Sequence, residues 1–454
     1  MPQQKKSMFT KTKGNAVVFL SVVKTFLYTA HVHYLEMKKP QPNWSFKMHL
    51  IFNLVKNFIQ RGAKETVEDA QTLVSQAKPK TYKNIANRAL VVPQEYRERA
   101  ARAFEAAYPD IAPEHSLKEA PLTAEWITYT GPKSGKSTKP IIILYLHGGA
   151  YYLGSVNSHR DLVSNLVRRS EGEALVLNYR LAPQDPFPFS IHDSIAAYLY
   201  MLDACSREGI RITSQNIAVM GDSAGGGLTM ATLLGLRKLG LESPACAVGI
   251  SPWLDLTHST NSFHLNKDTD YLPSTASVKH SSSPAISDKK WAKRKHFYAP
   301  DSLLKHPLVS PLFEADLHGL PPLLIQVGDG ELLRDEGILF ALKASGNYQS
   351  MDRKQSLDTS KSKSTPVSLE IYGEMPHVFH VFSFTTSAQI ALDHCAKFVK
   401  EIIQGVPTEE ERNFATFADK ENSLRKRFVA YDGSIEEIER LEIVGDGNTI
   451  KLSF

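Results

Sequence analysis

Ile217-Ala218-Val219-Met220-Gly221-Asp222-Ser223-Ala224-Gly225-Gly226 is an apolar run that ends in a glycine-flanked serine and continues as a helix-like stretch to Lys238. A strand that turns directly into a helix leaves no room for side chains beside the turning residue. Glycines on both sides of Ser223 meet that demand and leave the hydroxyl exposed above a sheet, as in a nucleophile elbow. A Gly-x-Ser-x-Gly string alone also describes an ordinary glycine-rich loop, so the reading depends on what surrounds it.

Upstream, Ile141-Ile142-Ile143-Leu144-Tyr145-Leu146 runs into His147-Gly148-Gly149-Ala150. Consecutive apolar, mostly β-branched residues fit a strand buried on both faces of a parallel sheet. Glycines just past its end let backbone N–H groups approach a ligand closely. Acyl transfer needs such donors where the carbonyl oxygen gains negative charge, and losing one typically costs about 2.7–4 kcal/mol. The sequence assigns this oxyanion role to the N–H groups of Gly148, Gly149 and Ala224. His147 is expected to brace the loop.

Downstream, the order expected of this arrangement is serine, acid, histidine. His377, in Gly373-Glu374-Met375-Pro376-His377-Val378-Phe379, follows the strand-like Val367–Tyr372 and is the candidate base, with His380 its rival. The acid should follow Leu323–Val327, where the chain reads Gly328-Asp329-Gly330-Glu331-Leu332-Leu333-Arg334-Asp335-Glu336. Glu331 is the first choice, Asp329 the alternative, and Asp335 is expected to hydrogen-bond structurally.

From Thr123 onward, strand-like and helix-like stretches alternate. Strands are expected over Ala124–Thr130, Ile141–Leu146, Ala174–Tyr179, Asn216–Gly221, Cys246–Ser251, Leu323–Val327 and Val367–Tyr372. The fold class is therefore α/β: a mostly parallel, doubly wound sheet with helices on both faces and a cap. Expected boundaries are a basic/apolar segment at 1–40, a helical cap region at 41–122 and a catalytic domain at 123–405, followed by an extension at 406–454. The catalytic domain carries a cap insertion at 258–295 and a polar insertion at 345–365. Phe46–Ile59 has apolar residues at helical spacing. No internal repeats are present.

These motifs resemble the hormone-sensitive-lipase-like branch of the α/β-hydrolases, the fold-3 esterases. The resemblance runs from Thr123 to Gly405 and includes His159-Arg160, Tyr179-Arg180-Leu181-Ala182-Pro183 and Ser251-Pro252-Trp253-Leu254-Asp255. Glu331 stands where aspartate is commoner in that branch, and His377-Val378-Phe379 replaces the usual His-Gly-Phe. Within that branch the chain resembles fungal members, which include ER-anchored steryl acetyl hydrolases. The resemblance implies carboxylic-ester hydrolysis through Ser223, Glu331 and His377, with no metal and no cofactor. The expected substrate is a small hydrophobic ester, an acetylated sterol or similar alcohol, with Tyr151, Tyr152 and Trp253 as pocket walls. A general short-chain carboxylesterase or an amidase of the same fold is the alternative. A ligand-binding receptor using the hydrolase pocket is the non-enzymatic one, since one family member of that kind has lost its catalytic histidine.

Composition bounds the rest. The chain has 454 residues, 42% hydrophobic and 22% charged, with a formal net charge of +5. Basic residues nearly balance acidic ones and form no stripe interleaved with aromatics, so no nucleic-acid partner is expected. Cys205, Cys246 and Cys395 are too scattered for a disulfide framework or metal cluster. Lys5, Lys6, Lys11 and Lys13 precede an apolar stretch, Ala16 to Val23, that resumes after Lys24 to Leu35. It fits a signal anchor, an interfacial helix or a lid helix packed on the enzyme. An anchor would place the catalytic domain in the ER lumen, with Asn43-Trp44-Ser45 a glycosylation acceptor; the alternative is a cytoplasmic protein. Nothing in the chain fixes an oligomeric state.

Overall fold

The apolar runs become the middle of one ten-stranded sheet. The computed structural model describes residues 20–62, 66–111, 120–134, 139–204, 212–273, 294–348, 364–405, 423–444 and 449–453. Its strands are β1 (Ile85–Val92), β2 (Leu122–Tyr129), β3 (Ile142–Leu146), β4 (Glu173–Leu177), β5 (Ile217–Asp222) and β6 (Cys246–Ile250). They continue as β7 (Leu323–Gly328), β8 (Val367–Tyr372), β9 (Leu424–Val429) and β10 (Ile435–Glu437), with β11 (Arg440–Val444) and β12 (Thr449–Ser453) as a separate hairpin. The order across the main sheet is β1-β2-β4-β3-β5-β6-β7-β8-β9-β10. Neighbours from β4 through β9 pair in parallel; the β1–β2, β2–β4 and β9–β10 pairings are antiparallel.

Strand periodicity divides each buried run between two cores. Ile142, Leu144, Leu146 and Val219 face one layer with the Phe189–Ala204, Ala224–Lys238 and Arg334–Ala344 helices. Ile143, Tyr145, Ala218 and Met220 face the other, with the Val156–Ser170 and Thr386–Gln404 helices. Burying each large apolar side chain stabilises the fold by about 1.5–3 kcal/mol. Local chemistry starts the outer helices: Ser155 and Ser158 form a capping box, and the Thr385 hydroxyl accepts from Ala388 N.

The strands read from the sequence match to within two residues, but β1, β9 and β10 were not expected. In β9 the run Arg425-Lys426-Arg427 reads as a charged tail, yet Phe428 and Val429 pack inward. Arg427 meets Glu370 of β8 and Glu437 of β10. Its charge is matched across the sheet rather than solvated.

At the N-terminal end, residues 20–30 are helical and pass into a wider turn, His31–Leu35. This arm lies along the Phe46–Gly62 helix, where Asn53 and Asn57 donate to the hydroxyls of Thr29 and Thr25, each at 2.9 Å. The helix in turn sets Met48 and Phe52 against Tyr271, Met375 and Phe379. Asn43 is tied through its side chain to Glu374, and Trp44 Nε1 donates to the Glu374 carbonyl. Among the described residues no helix is long and apolar enough to cross a membrane. The first part of the expected anchor, through residue 19, lies outside them, as do 274–293 of the cap insertion, 349–363 of the polar insertion, 406–422 of the extension, and Cys205. Cys246 and Cys395 are buried free thiols.

The elbow sets the tightest constraint. A Cβ on Gly225 would fall inside contact distance of the Leu146 and His147 carbonyl oxygens, which are backbone and cannot swing aside. Gly225→Ala is expected to destabilise the protein by about 3 kcal/mol or more. Gly235→Ala, whose Cβ would meet only the side-chain ends of Ile195 at 3.3 Å and Ile191 at 3.9 Å, should stay within about 1 kcal/mol of the parent. Urea unfolding of both variants checks this.

Candidate active site

β5 delivers Ser223 at φ 53° and ψ −122°, outside the usual regions for a residue with a side chain. Such backbone costs of the order of 1–3 kcal/mol and persists only where surroundings enforce it. Here Ser223 N donates to Ile250 O at 2.9 Å, while its carbonyl accepts from Gly227 N and Trp253 N. The glycines allow the close approach, and the half-buried serine side chain stands clear of the turn.

The loop after β8 brings His377 Nε2 to 2.8 Å from Ser223 Oγ. On the far side of the ring, Nδ1 lies 3.5 Å from Glu331 Oε2. Glu331 is fully buried, and at this distance its carboxylate approaches the ring as an ion pair, with neither oxygen within hydrogen-bond geometry of a donor among the described residues. Asp329 is turned away and pairs with Arg334 at 3.0 Å. His380 bonds Gln326 Oε1 at 2.9 Å instead of reaching the serine. Asp335 accepts from Ser262 N and Arg334 Nε.

Burial works to lower the pKa of His377. The carboxylates of Glu331, Asp270 and Asp222 outweigh it and hold the ring above its ordinary 6.5. Burial raises the pKa of Glu331, partly offset by His377 and Ser251. Asp222 shows the reverse balance: burial would raise its pKa, but His159 and the Tyr145 hydroxyl bring it down to about 2.

The amide donors differ from the sequence reading at one position. Gly148 N donates to Asp222 Oδ1 at 3.1 Å, so this N–H is already spent on the nucleophile strand and does not face an incoming oxyanion. The next residues turn sharply, with Gly149 at φ 116°, Ala150 at 53° and Tyr151 at 63°. Among the described residues, the N–H groups of Gly149, Ala150 and Ala224 meet no protein acceptor. Ala150, rather than Gly148, is therefore the candidate donor beside Gly149 and Ala224. The sequence could not show it, because the donor set moves along by one residue when a buried carboxylate captures the first amide. His147 Nδ1 lies 2.8 Å from Gly148 O, and its ring stacks on Tyr179 at 4.3 Å. Burial drops its pKa to about 3, so the ring is neutral.

Tyr151 stacks on Tyr298 at 3.7 Å and leans toward Trp253, while Tyr152 packs edge-on to Phe297. A separate cleft of about 630 Å³ is lined in part by Thr123, His147, Asn178 and Tyr179, and by none of Ser223, Glu331 or His377. Among the described residues no group of three or more His, Cys, Asp or Glu side chains could hold a metal.

A hydroxyl on a strained turn, an imidazole within hydrogen-bonding reach and a carboxylate behind the ring are the parts used in acyl transfer. Comparison with known proteins agrees. The model of the α/β-hydrolase-fold family matches residues 143–381. An acetyl-hydrolase of Streptomyces hygroscopicus is 38% identical over 57% of this chain and 72% of its own length. An esterase of Acinetobacter venetianus is 36% identical over 45% of this chain and 61% of its own. The crystal structure of an esterase from the bacterial hormone-sensitive lipase family superposes with a TM-score of 0.56 at 28% identity, covering 78% of this chain and 98% of the other. The chain belongs to the α/β-hydrolase-fold family, in its hormone-sensitive-lipase-like branch, and is a hydrolase of the carboxylesterase class.

The charge balance around His377 is open to direct measurement. In a histidine NMR titration its ring should lose its proton above pH 6.5. Glu331→Gln removes the first carboxylate that favours the cation and leaves burial in place, so the midpoint should move to lower pH. An unmoved midpoint would contradict the coupling.

Proposed function

We propose that Ser223 is the nucleophile, His377 the general base and then acid, and Glu331 the residue that orients the ring and stabilises its cationic form. The observation that carries this reading is the hydrogen-bonded line from Ser223 Oγ to His377 Nε2 at 2.8 Å, with buried Glu331 behind Nδ1. His377 takes the hydroxyl proton as Oγ bonds to the ester carbonyl carbon. The resulting oxyanion is held by the amides of Gly149, Ala150 and Ala224. Collapse expels the alcohol, which leaves with the proton from His377. Water then attacks the acyl-serine by the same route and releases the acid. Ser223→Ala should lower kcat for p-nitrophenyl acetate by on the order of 10⁴-fold or more, with circular dichroism and melting temperature unchanged. Persistent turnover in that variant would remove Ser223 from the role.

For the substrate, the reading is a short acyl ester of a hydrophobic alcohol, an acetylated sterol being the case in view. Three observations support it. A relative at 38% identity is named an acetyl-hydrolase. Beside the elbow, the Tyr151 ring contacts both Trp253 and Tyr298. The N-terminal arm presents Leu20, Val23, Phe26 and Leu27 to solvent, with Lys38 and Lys39 nearby in the chain. Such a face suits a lipid–water interface at which a hydrophobic ester is dissolved. In a panel of acyl esters, acetates should be cleaved with higher kcat/KM than octanoates, and a steryl acetate in phospholipid vesicles should be turned over. A preference for long acyl chains would overturn this substrate class and leave the serine chemistry intact.

A further inference from the structure

Asp270 lies in the segment that follows β6, far in sequence from both Glu331 and His377, yet it touches both of their loops. We propose that Asp270 is a positioning residue whose single carboxylate holds the acid loop and the base loop in register and adds negative charge beside the ring of His377. This rests on the triad reading given above and extends it.

The geometry is specific. Asp270 Oδ2 accepts from Leu332 N at 2.7 Å, one residue past Glu331. Its Oδ1 accepts from Tyr271 N at 2.7 Å and, at 3.4 Å, from His377 N itself. The rest of the segment adds to both grips. Asn266 Nδ2 donates to the carbonyls of Asp329 and Glu331 at 3.0 and 2.8 Å, and Thr269 Oγ1 donates to Gly330 O at 2.8 Å. On the base side, the Tyr271 hydroxyl donates to His377 O. Residues 266–271 therefore act as a strap across the ends of β7 and β8.

A fully buried carboxylate is costly unless it is hydrogen-bonded, and Asp270 is fully buried. Structural stitching alone does not need a charge there; Asn266 and Thr269 already stitch the acid loop with neutral groups. What a carboxylate adds is a negative charge beside a ring that must become cationic. The groups facing this position are His377, Glu331, the Tyr271 ring and the Lys56 ammonium, which approaches the Asp270 carbonyl at 3.1 Å. The negative charge of Asp270 acts to raise the pKa of His377, behind that of Glu331. Register matters because Glu331 and His377 stand 3.5 Å apart. A small shift of either loop decides whether the pair engages.

Asp270→Asn in the full chain, assayed with p-nitrophenyl acetate, is the test. It should lower kcat by about 10- to 100-fold, as loss of alignment at a reacting pair typically does, with KM within about twofold of the parent. The acidic limb of the kcat/KM profile should also move to lower pH. Asn266→Ala, which loosens the same loop without removing charge, should lower kcat and leave the limb in place. If Asp270→Asn shows the parent limb, Asp270 has no electrostatic part and the proposal fails, whatever happens to kcat. Should that variant not fold, Asp270→Glu keeps the charge and displaces it by one carbon; it should lose kcat with the limb unmoved, and parent-like kcat would overturn the positioning role. Ser223→Ala run alongside separates the two readings. Activity surviving there defeats the triad itself, whereas an inert Ser223→Ala beside a parent-like Asp270→Asn defeats only the strap.

Discussion

The backbone of β5 passes so close to the end of β3 that only glycine fits at 221 and 225, where an added Cβ would collide with the carbonyl of Leu146. That approach forces the strand-to-helix turn and the left-handed backbone of Ser223. The same proximity lets Asp222, next in line, reach across to the loop after β3. Its carboxylate collects the Tyr145 hydroxyl at 2.7 Å, the Gly148 amide at 3.1 Å and the His159 ring at 3.3 Å. The proposed nucleophile and the proposed oxyanion donors are thus parts of one rigid junction between two central strands. Precision here follows from steric exclusion, and needs no flexible adjustment.

The three loops that carry Ser223, Glu331 and His377 follow the carboxyl ends of the parallel strands β5, β7 and β8, where such sheets commonly place ligands. Around them the interior carries several acids. Burial raises the pKa of Asp270 and Glu331, and that of Glu336 well above its usual value. Glu336 accepts the amides of Leu254 and Asp255, which fixes the turn beside Trp253. Buried carboxylates here hold backbone in place, and His377 is the histidine whose pKa they bring above the ordinary value beside the serine.

Much of this was legible from the chain. β3, β5, β6, β7 and β8 are short apolar runs bounded by glycine, proline or acidic turns, and the elbow fixes how they are joined. Unbroken apolar runs carry that information because these strands are buried on both faces. It fails at the edges. β1 is exposed along most of its length, and β9 hides an inward Phe428 and Val429 behind three basic residues. At the site, chain order and motif position singled out Ser223 and His377 and put Glu331 ahead of Asp329 as the candidate acid; the pairing of Asp329 with Arg334 was not legible. Ala150 and Asp270 were not legible, since each depends on which buried acid captures which amide.

The Asn43–Trp44 pair carries a final consequence. Both residues grip Glu374, three positions before His377, and Trp44 is wholly enclosed. The leading arm of the chain is therefore moored to the loop that bears the imidazole, not to a remote surface. Tension applied at the front of the molecule has a short mechanical route to the base, through one indole and one carboxylate, without passing through the sheet.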